Sequence, residues 1–421
     1  MKNNHTPEIR FPGFTGDWEE RKLSELMEFS NGINAPKENY GKGRKMISVM
    51  DILADEPIIY GNIRNSVQVD DKTESKNKVE NGDLVFVRSS EIRDEVGWAK
   101  AYRQKEYALY SGFSIRGKKK SDFDAKFIEL SLNNSNRGQI ERQAGGSTRF
   151  NVSQSILKSI GILEPSIEEQ IEIGNFFEKL DETIALHQQE LTILKQTKQG
   201  FLQKMFPKEG ESVPEVRFPG FTGDWEERKL INNIIEKVLD FRGKSPAKFG
   251  MKWGNSGYLV LSALNVKNGY IDKLVEAKYG DQMLFERWMG KERLEKGDVV
   301  FTTEAPLGNV AQVPDDNGYI LNQRVVAFKT STEKTDNNFL AQLLRNPLFQ
   351  TRLKENASGG TAKGIGMKEF AKMSATIPAS VEEQTKIGNF FKQLDETIAL
   401  HQLELDTLKE TKKAFLQKMF V

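Results

Sequence analysis

Few side chains in this chain can do covalent chemistry. Cysteine is absent, and the histidines are His5, His187 and His401. That excludes cysteine nucleophiles, disulfides and zinc fingers, and it argues against a multi-histidine metal centre. Gly243-Lys244-Ser245 has the ending of a phosphate-binding loop, but Val238 stands where the leading glycine belongs and Pro246 would break the helix that must follow. Asn346-Pro347-Leu348-Phe349 has part of an amino-methyltransferase element, with no second proline and no glycine-rich cofactor loop before it, and reads as a turn at a helix end. Asp315-Asp316 sits beside Gly318 in a turn, without a nearby base. No catalytic constellation emerges, and no resident cofactor or metal is expected.

Recognition chemistry is better represented. Gly145-Gly146-Ser147-Thr148-Arg149 and Gly359-Gly360-Thr361-Ala362-Lys363 combine a flexible backbone, hydroxyls and a cation. Such groups bind phosphates, and arginine can also grip a guanine edge with two hydrogen bonds. On this reading Ser147, Thr148, Arg149, Thr361 and Lys363 are candidate DNA contacts. The same logic adds Arg88, Ser89 and Ser90 at a strand end, and Thr302 and Thr303 at another. It also adds Arg116 and Lys118 in a basic run, Arg242 and Lys244, and Arg324 beside Asn322-Gln323. The alternative for each is an ordinary solvated loop.

Two repeats organise these candidates. Glu168–Phe206 returns almost unchanged as Glu382–Phe420. In the first copy Phe177, Leu180, Ile184, His187, Leu191, Leu194 and Phe201 fall at alternating spacings of three and four, with Lys198 completing the stripe. Phe391, Leu394, Ile398, His401, Leu405, Leu408 and Phe415 stand in register in the second, with Lys412. A stripe this narrow and long is a coiled-coil seam, and two in one chain predict pairing with each other. His187, His401, Lys198 and Lys412 are then polar seam residues that fix register. At about 1.5 Å per residue each helix is roughly 55–60 Å long. Ser166-x-x-Glu169 and Ser380-x-x-Glu383 read as capping boxes at their starts.

The other repeat, PEIRFPGFTGDWEERKL from Pro7, returns as PEVRFPGFTGDWEERKL from Pro214. Its aromatic residues predict a packing surface, with base stacking by Trp18 or Trp225 as the alternative. The layout is a conserved block at 1–23, a variable domain at 24–164 and a central helix at 165–206. A linker and second block follow at 207–230, then a variable domain at 231–379 and a C-terminal helix at 380–421. The linker begins with Pro207 and carries Gly210. Both variable segments mix short β-type runs with turn signals; MISVM, EPIIY, DLVFV and GFSIR are the runs of the first. VENGDLVFVRSS from Val79 matches LEKGDVVFTTEA from Leu294, and AGGSTRFN from Ala144 aligns with SGGTAKGI from Ser358. Each segment predicts a small α+β domain, two versions of one fold.

Hydrophobic content of 38% and charged content of 29% suit soluble domains with long solvated helices. No apolar run is long enough for a membrane span and no signal peptide is visible, so a cytoplasmic protein is expected. Net charge is +1, but the variable segments carry a surplus of about +2 and about +5, where DNA contact would need it.

This architecture resembles the specificity (S) subunit of a type I restriction–modification system over essentially the whole chain. The similarity rests on Pro165-Ser166-Ile167-Glu168-Glu169-Gln170 and its copy Pro378–Gln384, which has one residue more before the final Glu-Gln. It rests also on the Ile-Gly-Asn-Phe-Phe…Leu-Asp-Glu-Thr-Ile and Phe-Pro-Gly-Phe…Trp-Glu stretches. The resemblance implies two target-recognition domains separated by two long helices, paired as an antiparallel coiled coil with pseudo-two-fold symmetry. Each domain would read half of a bipartite, asymmetric site on double-stranded DNA, with helix length setting the unread spacer. It implies a non-catalytic subunit bound to two modification subunits that methylate adenine with S-adenosylmethionine. Restriction subunits would bring ATP- and Mg-dependent translocation and cleavage. A modification-only system and a protein-binding coiled-coil scaffold are the alternatives.

Overall fold

The computed structural model describes residues 5–241 and 245–421, so the candidates Arg242 and Lys244 lie outside the described residues. Four helices organise the chain: α1 (Ala125–Asn133), α2 (Ile167–Lys204), α3 (Asn337–Arg345) and α4 (Val381–Lys418). The chain forms two compact units. One comprises Met1–Gln189 with Leu403–Val421, the other Glu190–Gln402. The division cuts both long helices midway, a partition that blocks, variable segments and helices do not show in the sequence.

In the first unit a four-stranded antiparallel sheet has the order Met27–Asn31, Ser114–Lys119, Leu84–Val87, Ala99–Ala101. A three-stranded sheet runs Asn65–Val67, Tyr40–Ile47, Leu109–Tyr110, its last pair parallel. Leu84–Val87 is buried on both faces, which is why it reads as an unbroken apolar run. The second unit repeats this topology. Lys237–Asp240, Val325–Lys329, Val299–Thr303 and Leu307–Gln312 form the larger sheet, and Tyr279–Gly280, Tyr258–Leu261 and Tyr319–Leu321 the smaller. In each unit the end of the conserved block pairs with the strand leading into the long helix: Glu19–Lys22 with Gly161–Glu164, and Glu226–Lys229 with Ser374–Ile377. Each domain therefore opens and closes at one place. EPIIY is not a strand. Pro57 supplies no N–H, and Ile58 and Ile63 anchor an irregular loop in a small core instead. MISVM is split, with Ile47 ending a strand and Val49 beginning a helical turn.

The two long helices run antiparallel within each unit, and each of the following contacts joins a predicted seam residue to a residue beside the seam on the other helix. In the first, Phe176 meets Phe415 edge-on at 5.2 Å, Asp181 meets Lys412 at 2.5 Å and His187 faces Glu404 at 4.0 Å. In the second, Phe201 meets Phe390 at 5.1 Å, Lys198 bonds Asp395 and Glu190 faces His401 at 3.8 Å. Numbers rise along one helix as they fall along the other. Leu191 and Leu405 are 1% exposed; Leu180, Ile184, Leu194, Ile398 and Leu408 are half-buried. The helix ends do more than pair. Phe177 and Phe391 are fully buried in the two main cores, beside Phe420 at 6.0 Å and Phe206 at 6.3 Å respectively.

The conserved blocks are packing devices. Trp18 is 1% and Trp225 3% exposed, so neither ring can stack on a base. Trp18 sits against Phe127 and Phe420, and Trp225 against Phe206 and Phe339.

Candidate nucleic-acid interface

Each recognition domain is fixed to its helix start by the Glu-Gln motif. The Gln170 amide donates to the Pro165 carbonyl at 3.0 Å, and its oxygen accepts from the Asp124 backbone N–H at 3.1 Å. Gln384 does the same with Pro378 and Asp336, at 3.0 and 3.2 Å. Asp124 and Asp336 are the N-caps of α1 and α3. Those caps press on Gly174 and Gly388. A Cβ on Gly174 would stand 2.3 Å from Asp124 Oδ1, and one on Gly388 2.5 Å from the Phe339 nitrogen. The glycine of the Ile-Gly-Asn-Phe-Phe stretch thus admits the capped start of α1 in one domain and of α3 in the other.

Glu169 and Glu383 face the blocks rather than closing the capping boxes. The Arg10 guanidinium grips Glu169 at 2.6 and 2.7 Å and also donates to the Gly16 and Thr15 carbonyls. Arg217 grips Glu383 at 2.6 and 2.8 Å and reaches the Gly223 and Thr222 carbonyls. A cation delivered by the block outcompetes the helix's own N-cap N–H for the carboxylate. Ser380 Oγ still accepts from the Glu383 N–H, at 3.4 Å.

The polar seam lysines also join helix to domain. Asp395, paired with Lys198, holds Arg345 of α3 at 2.8 Å and Gln342 at 3.3 Å. Burial and the neighbouring Arg345 charge lower the Lys198 pKa to about 8, against the pull of Asp395. Burial pushes the Asp395 carboxyl up, but Arg345 and Lys198 outweigh it and hold it below its usual range. In the first unit Asp181 receives Lys412 from α4 and Lys126 of α1 at 3.2 Å, and Lys126 also meets Glu129 at 2.8 Å. Burial lowers the Lys126 pKa, but Glu129 and Asp181 more than reverse this, leaving it raised. These lysines therefore help orient a domain, beyond setting helix register.

With the domains so held, three segments meet at one sheet end. Arg88 follows strand Leu84–Val87; its N–H donates to the Phe113 carbonyl at 2.8 Å and its carbonyl accepts from Val152 at 3.0 Å. Thr303 has the same place in the second unit, donating to the Arg324 carbonyl at 2.8 Å and accepting from Ile365 at 2.9 Å. A strand end, a turn and the glycine-rich loop thus form a platform in each domain. The loops match one residue out of the sequence alignment. Gly145 bridges Asn151 as Ser358 bridges Gly364, and Gly146 and Gly359 share a left-handed backbone, with φ of 126° and 119°. Backbone geometry, not side-chain likeness, sets the correspondence.

The structure divides the candidate contacts. Ser147, Thr148, Arg149, Thr361 and Lys363 are exposed on the loops, and Arg324 is exposed on its turn. Arg88 is half-buried and donates to the Gly112 carbonyl at 3.2 Å. With Asn31, Gln143, Asn151 and Ser153 it lines a surface depression of about 710 Å³. Ser89 is half-buried on a short strand facing Asn151. Four candidates are misassigned. Arg116 is 7% exposed, stacks on Tyr110 and donates to the Lys78 and Lys76 carbonyls, so it is internal bracing. The Ser90 hydroxyl is spent on Glu95 and the Ile92 N–H. Thr302 is 0% exposed and accepts from the Asn309 N–H, while Thr303, 2% exposed, contributes backbone. The physical reason is placement rather than residue type: Thr302 and Thr303 point to opposite faces of a strand covered on both, and Arg116 lies on a stretch of strand that is likewise buried on both faces. Lys118 is exposed and paired with Glu80 at 3.3 Å, but it lies four residues along its strand from Ser114 at the platform, roughly 13 Å away.

Sequence reading passed over Phe113, which is 53% exposed at the platform with the Arg149 guanidinium 5.6 Å from its ring. It also passed over Glu304, which meets Arg324 at 3.3 Å. The only signal was the turn following a short strand, and the turns Ser111–Ser114 and Asn322–Val325 share no residue.

Comparison with known proteins identifies this geometry. Residues 15–196 and 222–410 match the family described as Type I restriction modification DNA specificity domain. The chain belongs to that family, and its role is DNA recognition in a type I restriction–modification system. It is 23% identical over 410 residues to the Methanocaldococcus jannaschii protein assigned as the type I restriction enzyme MjaX specificity subunit, covering 95% of this chain and 92% of that one. It is 25% identical over 290 residues to the MjaVIII specificity subunit of the same organism, covering 66% and 65%. The fold matches the crystal structure of a type I restriction–modification S subunit from M. genitalium, with TM-score 0.63, 15% identity and 99% of each chain covered. Members of this family act with DNA and with other subunits of the system. Among the described residues, no helix is long and apolar enough to cross a membrane.

Proposed function

We propose that this chain is the non-catalytic reader of a cytoplasmic assembly, and that each recognition domain contacts one half of a bipartite, asymmetric DNA target. The observation that carries this is the repeated platform. The two domains share topology and backbone hydrogen bonds but present different side chains, as readers of two unlike half-sites should. The paired helices set the unread spacer. Two modification subunits carry S-adenosylmethionine and methylate adenine. Restriction subunits add ATP- and Mg-dependent translocation and cleavage. Exposed apolar residues on the helices support docking of modification subunits: Leu186 and Leu403 in the first unit are 55% and 64% exposed, and Ile193 and Leu400 in the second are 51% and 55%.

The test is exchange. Residues 24–164 are replaced by the corresponding segment of another specificity subunit, the chain is assembled with its modification subunits, and methylated adenines are mapped. One half-site changes, while the other half and the spacer stay. A change in both halves, or in neither, sinks the two-reader scheme.

A further inference from the structure

Among the platform residues, one position is tied by the same backbone hydrogen bonds in both domains and filled differently. It is the third residue of the turns Ser111–Ser114 and Asn322–Val325, each closed by a hydrogen bond from the fourth N–H to the first carbonyl, at 2.9 and 3.3 Å. The N–H of Ser111 donates to Ile47, and that of Asn322 to Leu261, at 2.9 and 3.0 Å, tying each turn to the smaller sheet. The third residue's carbonyl accepts from the strand-end residue, Arg88 or Thr303. Its backbone is thus held from two sheets while its side chain stays in solvent.

The occupants are Phe113 and Arg324. Phe113 leaves an aromatic ring 53% exposed under the Arg149 cation, an arrangement without use to the core. Arg324 adopts a φ of 70°, a left-handed conformation that a non-glycine side chain adopts only when its surroundings enforce it. Its guanidinium, 53% exposed, is steadied on one edge by Glu304 at 3.3 Å. A rigid backbone carrying an exposed, steadied side chain is what base readout requires.

Resting on the two-reader scheme, we propose that Phe113 and Arg324 are the matched specificity-determining residues of the two domains. Arg324 takes a guanine by its O6 and N7 in the half-site of the second domain. Phe113 packs on a thymine methyl in the half-site of the first. Glu304 is a positioning residue that aims the Arg324 fork.

The experiment uses the full chain assembled with its modification subunits, and duplexes in which each base pair of the target is varied singly. Arg324→Ala lowers the preference for guanine at one position of the second half-site by about 10- to 100-fold. The first half-site is unaffected. Replacing that guanine with 7-deazaguanine weakens the wild-type assembly and leaves the variant indifferent. Phe113→Ala costs about fourfold at one thymine of the first half-site, the effect of losing one buried methyl, and uracil at that position reproduces the loss in the wild type. Arg324→Lys keeps the charge but not the fork, and shows the same lost preference.

Unaltered discrimination in Arg324→Ala overturns the assignment. So does a loss spread over both half-sites with a reduced salt dependence, which marks a phosphate contact. Failure of both Arg324 variants to assemble also overturns it, since the position is then structural. A segment exchange that leaves the methylated sequence unchanged sinks the domain reading itself; a successful exchange beside an indifferent Arg324→Ala sinks only this position.

Discussion

Removing Arg217 should leave a charge stranded at the root of the second unit. Glu383 has a side chain 2% exposed, and Arg217, at 15%, supplies two hydrogen bonds to it at 2.6 and 2.8 Å. In Arg217→Ala the carboxylate keeps only the Trp225 indole N–H at 3.3 Å. Breaking a buried pair from one side costs about 3–5 kcal/mol. The vacated guanidinium is near enough to the surface for water to enter, so the low end, about 3 kcal/mol, is expected. For a unit of this size that is roughly 6–12 °C in Tm. Urea unfolding of the full chain, followed by far-UV circular dichroism, measures it. The double variant Arg217→Met with Glu383→Leu should recover most of the loss, because an apolar pair removes both charges together. The repeat provides an internal control: Arg10→Ala strands Glu169, 1% exposed, and should cost the first unit a similar amount. A loss under about 1 kcal/mol, or a double variant no better than the sum of its parts, refutes the latch.

Two further predictions follow from the helices. The folded pKa of Lys198 lies near 8, below the unfolded value near 10.5. Between those pH values the unfolded chain binds more protons, so this group's contribution to stability rises with pH across that window and is flat below it. The wild type minus Lys198→Met difference in unfolding free energy, measured from pH 7 to 10, should show that rise; a flat difference contradicts it. Gly388→Ala forces a Cβ to within 2.6 Å of Asp336 Oδ1 and should destabilise the second unit by about 1–3 kcal/mol. Gly200→Ala meets nothing within 4 Å, repeats the Ala414 of the other helix copy, and should stabilise by about 0.5–1 kcal/mol. Thermal unfolding of both variants checks the contrast, and equal effects would show that space does not govern these positions.

The helices and their pairing were legible because their signal is local and doubled: the 3–4 spacing lies along the chain, and the repeat states it twice. The strands Leu84–Val87 and Val299–Thr303 were legible for the same reason. What the sequence concealed depends on direction rather than composition. Arg116 sits in a basic run yet points inward onto Tyr110, and Phe113 sits in a β-type run yet is exposed. The partner of Glu169 was hidden because Arg10 stands 159 residues away. The loop register was off by one because Gly146 and Gly359 are matched by left-handed backbone, which leaves no trace beyond glycine itself.

The first unit also contains the last stretch of the chain. Phe420 stacks on Phe127 at 5.4 Å and meets Trp18 at 6.2 Å, and the Ile9 N–H donates to the Lys418 carbonyl at 2.9 Å. The second unit draws on nothing beyond Gln402. The first unit can therefore be completed only after every residue of the second has been made, because residues 403–421 supply part of its core. A chain ending at Gln402 would hold every residue of the second unit yet lack those that close the first.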